Sequence, residues 1–184
     1  MFWRRQKVET PCFGVLAEFP DGDALLRAIE EGKAAGYSKM EAYTPLPMHE
    51  VSHALGYTSR LPMLVLIGGI VGALVGFGIQ YFSAVEHYPM NIGGRPLNSW
   101  PSFVVITFEM TILFASASCV IGMLALNGLP RPHHPVFDVP EFETASRDRF
   151  FLLVMAHDPN FSLEGARELL SGMTPLSVSE VPNP

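Results

Sequence analysis

His49, Glu50 and His53 stand in the order His-Glu-x-x-His, the arrangement with which many zinc proteases hold their metal. On a helix, residues i and i+4 share a face, so two such histidines can bind one zinc ion while the glutamate acts as general base. A third ligand has to come from farther along the chain. Gly56 follows at the spacing of one protease class, but the position three beyond it is Ser59, which is not a useful ligand. The next carboxylate is Glu86, at the far end of a long apolar run. The helix is also short, held between Pro47 and Gly56. Met48, Val51 and Leu55 lie on one side of it and polar groups on the other, which suits a short amphipathic turn at a membrane surface. We therefore expect no catalytic, metal-binding or cofactor-binding residue here. A membrane zinc protease built on His49, Glu50 and His53 is the enzyme rival.

Other reactive groups are sparse. His133 and His134 sit among prolines, where nothing fixes a coordination geometry. Cys12 and Cys119 are the two cysteines, too far apart in sequence for a zinc ribbon or an iron–sulfur spacing. The pattern C-x-x-C-H, which attaches haem covalently, is absent. Glu109 is different. It is the one ionisable residue well inside an apolar run, where such groups mark either a polar contact between helices or a step in a proton path. Thr107 and Thr111 flank it but point elsewhere around the helix, and no second acid or base extends a relay. The expected role is the polar contact.

The elements that must position these residues follow from the hydrophobic pattern. Two apolar runs, 61–85 and 100–126, hold much of the chain's hydrophobicity, and Glu109 is their one charged side chain. A helix rises about 1.5 Å per residue, so roughly 20 apolar residues cross a hydrocarbon core. Both runs pass, and two transmembrane helices are predicted. In the first, Gly68, Gly72 and Gly76 recur at every fourth residue, with Gly69 and Gly78 beside them; in the second, Ala115, Ser118, Cys119 and Gly122 are small. Such stripes let backbones approach closely. The hairpin's packing on itself accounts for one face, and the remaining circumference suits assembly into a larger membrane complex.

An even number of spans leaves both ends on one side. The loop of residues 86–99 holds one arginine, Arg95, whereas Arg60 and Arg131 flank the outer ends, with Arg4, Arg5, Lys7, Arg147 and Arg149 beyond them. The positive-inside rule places both termini in the cytoplasm and the loop in the periplasm. The basic start, residues 1–11, lacks the apolar core of a secretory signal, which agrees with a cytoplasmic N-terminus.

Outside the spans the chain repeats itself. Residues 12–19 read as a strand, 20–36 as a helix with Asp21 or Asp23 as cap and Gly36 as stop, and 37–45 as a strand. Residues 149–158 read as a strand, 159–172 as a helix ended by Gly172, and 173–182 as a strand. Two βαβ units predict a ferredoxin-like α+β sandwich, four strands with two helices on one face. Its halves, 12–60 and 148–184, are interrupted by the hairpin, and the proline-rich segment 127–147 is expected to be an extended linker.

Several stretches carry a family resemblance: "YTPLPMH" with "ALGYTSRLPMLVLIGGIVG", "FEMTILFASASCVIGMLALNGLP", "HPVFD" and "ASRDRFFLLV". In order and spacing, from Phe13 to about Val181, they resemble the D subunit of alternative complex III, the bacterial membrane complex that oxidises quinols in place of a cytochrome bc complex. The family pattern around Pro45, Pro47 and His49 has no second histidine, which implies that His53 completes the zinc motif by coincidence. The resemblance implies a two-span, cofactor-free accessory subunit of the bacterial inner membrane, in a respiratory or photosynthetic chain. Haem c and iron–sulfur clusters would sit on partner subunits. The expected partners are those membrane subunits and the lipid bilayer, with quinol and a periplasmic electron acceptor met only indirectly; nucleic acid is not among them. A free-standing regulatory or ligand-binding module is the third reading, because fold analogy alone does not choose a function.

Overall fold

The computed structural model describes residues 12–183, so the basic segment 1–11 lies outside the described residues. These fall into two compact units, one formed by the residues up to Tyr57 together with those from Pro132 onward, the other by Thr58–Arg131.

In the first unit, β1 (Gly14–Phe19) leads to α1 (Gly22–Ala34) and β2 (Met40–Tyr43). Asp21 caps α1, its carboxylate accepting from the Ala24 N–H at 2.7 Å, and Gly36 takes φ 95° just beyond the helix. The second half repeats the order: β3 (Phe150–Met155), α5 (Leu163–Gly172) and β4 (Ser177–Val181). Ser162 caps α5 by accepting from the Gly165 N–H. The four strands form one antiparallel sheet in the order β2-β3-β1-β4. A strand of the second half thus lies between β1 and β2, and a strand of the first lies between β3 and β4. Neither half has a continuous sheet of its own.

Side chains alternate across the sheet. Val15, Ala17, Phe19, Leu152 and Val154 point to the face covered by Leu25, Ala28 and Ile29 of α1 and Ala166 and Leu170 of α5. Leu16, Phe151, Leu153, Met155 and Val181 point the other way. That second face is covered by the proline-rich segment. Expected to be an extended linker, it instead winds into 3-10 turns at Pro135–Asp138 and Pro140–Ser146, and Val136, Val139, Phe142 and Ala145 are buried against the sheet. Phe142 makes edge contacts with Tyr43 and Phe151 at ring separations of 5.0 and 5.3 Å. The physical reason is plain. A four-stranded sheet with helices on one face leaves an apolar face to cover, and these side chains are within the chain's own reach.

The second unit is a helical hairpin. The helix α3 (Leu61–Tyr81) continues through a π-helical stretch, Phe82–His87, and α4 runs Trp100–Asn127. Together they give two helices of 27 and 28 residues, long and apolar enough to cross a membrane. Pro62 and Pro101 stand in their first turns, where a missing N–H costs nothing, and Gly128 ends α4 at φ 66°.

Candidate functional site

The remaining short helix, α2 (His49–Leu55), carries the zinc-protease pattern. Val51 is buried, and Met48, Ala54 and Leu55 pack beside it into the cluster between the sheet and α1. The apolar side expected to lie on a membrane surface is therefore taken up by the unit's own core. His49, Glu50 and His53 are exposed. His49 borders a shallow cleft of about 510 Å³ between β2 and α2, lined also by Tyr43, Thr44 and Ser52, whereas His53 is not among its lining residues. Among the described residues no three His, Cys, Asp or Glu side chains gather closely enough to hold a metal ion. Both cysteines are free thiols. The Cys12 thiol is pushed up, first by its burial and then by the nearby Glu180 carboxylate.

The two halves of the sheet are tied by a residue that the sequence reading passed over. Asp158, 5% exposed, is the one buried charged side chain among the described residues. Its Oδ2 accepts from the backbone N–H groups of Ser38 and Lys39, both at 2.6 Å, and from the Ser38 hydroxyl. Its Oδ1 accepts from the Asn160 N–H at 2.9 Å, and the Asn160 side chain donates to the Gly36 carbonyl. Burial alone would raise the Asp158 pKa, but these hydrogen bonds to the charged form outweigh it and leave the pKa lowered. The same contacts explain why β2 begins at Met40 rather than at Tyr37. The N–H groups of Ser38 and Lys39 are given to the carboxylate instead of to a strand ladder.

In the hairpin, the small residues meet at one seam. Gly68, Gly69, Gly72 and Gly76 are buried against α4. A Cβ on Gly68 would overlap the Ser118 hydroxyl, and one on Gly72 would strike the Met110 carbonyl oxygen and come to 2.8 Å from Phe114 Cβ. At Gly76 it would stand 2.9 Å from Met110 Cβ. Ala115 sits 3.7 Å from where a Gly69 Cβ would be, and Gly122 faces Leu61 and Leu64. Gly78 has open space around it. The glycine stripe is thus occupied by the hairpin's own second helix, so any neighbouring chain has to meet other faces.

Gln80 closes the seam near its loop end. Its amide nitrogen lies 2.9 Å from both the Gly76 and Phe103 carbonyl oxygens and 3.3 Å from the Thr107 hydroxyl. A lone amide in an otherwise apolar run, next to the last glycine of the stripe, was its only signal in sequence.

Glu109 stands on the other side of α4. At about 100° per residue it lies roughly opposite Thr107, Phe114, Ser118 and Gly122, the positions turned toward α3. It is exposed on the hairpin's outer surface and has no hydrogen bond or ion pair among the described residues. Its exposed neighbours are Val105, Ile106, Ile112 and Leu113. It therefore makes no contact with Gln80 or with the glycine seam.

The arrangement contains a tied sheet, a close-packed hairpin and no gathered set of acids, bases or ligands among the described residues. No curated protein matches the chain. The family model described as the ActD subunit of alternative complex III matches residues 13–180, a span that covers the whole hairpin and every strand and helix of the first unit except the last residue of β4. The chain belongs to the family of ActD subunits of alternative complex III.

Proposed function

We propose that this chain is a non-catalytic structural and assembly subunit of a quinol-oxidising membrane complex, anchored by its hairpin beside larger subunits that carry the electron transfer. The observation that carries the reading is the family match across both units. It is supported by how the chain uses its residues. The seam glycines, Gln80 and Asp158 are spent on internal packing and hydrogen bonding, and the zinc-like motif has its two histidines exposed with no third ligand beside them among the described residues. Haem c and iron–sulfur clusters belong to partner subunits on this reading, and the chain has neither the cysteine spacing nor the C-x-x-C-H pattern to hold them. Quinol and a periplasmic electron acceptor are partners of the whole assembly.

The first unit is read as a ferredoxin-like domain, because each of its βαβ halves has a strand of the other between its own two and every neighbouring pair is antiparallel. The arginine distribution supports a location in the bacterial inner membrane with this domain and both termini in the cytoplasm.

Purification of the tagged chain from its native membranes in mild detergent tests the proposal. Haem absorption bands and several large membrane chains at fixed ratio are expected. A colourless chain recovered alone would overturn it.

A further inference from the structure

The two outer faces of the hairpin differ in the polar groups they expose. On α3 the exposed large side chains include Met63, Leu64, Leu66, Ile67, Ile70, Val71, Leu74, Phe77 and Ile79, all suited to acyl chains. On α4 the corresponding face carries Val105, Ile112, Leu113 and Val120, and Glu109 in their midst. Glu109 is the tenth residue of a helix of 28, about 14 Å from its start. A hydrocarbon core of about 30 Å centred on a helix about 42 Å long leaves it well below the interface. A carboxyl at that depth, charged or neutral, is unstable without a hydrogen-bonding partner, and α3 cannot supply one because it lies on the opposite side of α4.

We infer that the Glu109 face of α4 is the docking surface for a transmembrane helix of a neighbouring subunit, and that this helix presents a neutral hydrogen-bonding side chain at the depth of Glu109. The outer face of α3 is left to lipid. A neutral partner fits because it satisfies the carboxyl without placing a second ion in hydrocarbon. Val105, Ile112 and Leu113 provide the apolar contact around it, and Ser116, one further turn along and also exposed, keeps the approach close. The inference rests on the subunit reading, since it names which side of the hairpin that assembly uses.

Two measurements on the intact complex in native membranes test it. In the first, a photo-crosslinking residue replaces Leu113 or, separately, Leu74. Position 113 is expected to capture a membrane chain of the complex and position 74 only lipid; lipid alone at 113, or a protein adduct at 74 in place of 113, overturns the inference. In the second, Glu109→Leu and Glu109→Gln are compared for recovery of this chain with the haem-bearing subunits. An interhelical hydrogen bond in a membrane corresponds to a loss of about threefold to thirtyfold for Glu109→Leu, with Glu109→Gln close to wild type because its amide still bonds. Leucine favours insertion, so normal amounts of the Glu109→Leu chain in the membrane show that the hairpin itself has formed. Full recovery of Glu109→Leu, or equal loss in both variants, overturns the inference. Failure of the wild-type chain to recover haem at all is instead the failure of the subunit reading.

Discussion

Asp158 ties the two halves of the sheet at a single carboxylate, because it gathers groups about 120 positions apart in sequence. Its loss takes the acceptor from the part-buried hydrogen bonds of the Ser38 and Lys39 N–H groups. Asp158→Ala is therefore expected to lower the stability of the full chain in detergent by about 1–3 kcal/mol, measured by denaturant titration. The pH dependence has a definite sign. The folded-state pKa is lowered from 3.8 by hydrogen bonds to the carboxylate, so the stabilisation is complete above the unfolded value and is lost as pH falls through the folded one. The wild type should thus lose stability between about pH 5 and strongly acidic pH by a margin that Asp158→Ala does not show. Histidine 53 makes the opposite case. Exposed and outside the cleft that His49 borders, it should be replaceable. His53→Ala is expected to leave stability within about 0.5 kcal/mol of wild type, and metal analysis of the purified chain should find no zinc that depends on it.

At the scale of elements, the hairpin and the 3-10 turns illustrate two kinds of covering. The α3–α4 seam is set by backbone approach at glycine, so its geometry is sharply testable. A Cβ on Gly69 would stand 3.7 Å from Ala115 Cβ, within the range of a disulfide. Gly69→Cys with Ala115→Cys, in a Cys119→Ser background, should cross-link within the chain under mild oxidation. Adding Gly72→Leu, whose side chain would meet the Met110 carbonyl, should cut that yield severalfold, read by gel mobility. The second sheet face is covered by side chains from a segment whose prolines and polar residues disguise it. Phe142, 9% exposed and packed between Tyr43 and Phe151, anchors it. Phe142→Ala should cost about 3 kcal/mol in thermal or denaturant unfolding of the first unit, as for other large-to-small core changes.

Taken as a whole, the molecule joins a small sandwich and a membrane-length hairpin by interrupting one with the other. Among the described residues, the core, caps and polar tie of the sandwich draw on none from Thr58–Arg131. Replacing that stretch with a flexible Gly/Ser linker of about fifteen residues, long enough to span a small domain, should give a soluble protein. Cooperative unfolding and the circular dichroism of a mixed helix-and-sheet fold are the readouts; an aggregated or unfolded product would show that the sandwich needs the hairpin.

Much of this architecture was legible in the order of residues because it depends on local periodicity. Long apolar runs mark helices of membrane length, Asp21 and Gly36 bracket α1, and alternating apolar residues mark β1 and β3. The family is legible too, since its proline, glycine and apolar signatures lie along the chain in order. What needed the tertiary structure was every choice between partners distant in sequence. The apolar side of α2 fits a bilayer surface or a protein core equally well by pattern, and only the position of α1 and the sheet assigns Val51 to the core. Asp158 looks like any turn aspartate until β2 is brought beside it. The prolines of the 127–147 segment announce a break in helix or strand, but not that the residues between them would find an uncovered sheet face. Periodicity is a property of one element, whereas burial belongs to two surfaces in contact, and the chain's order names only the first.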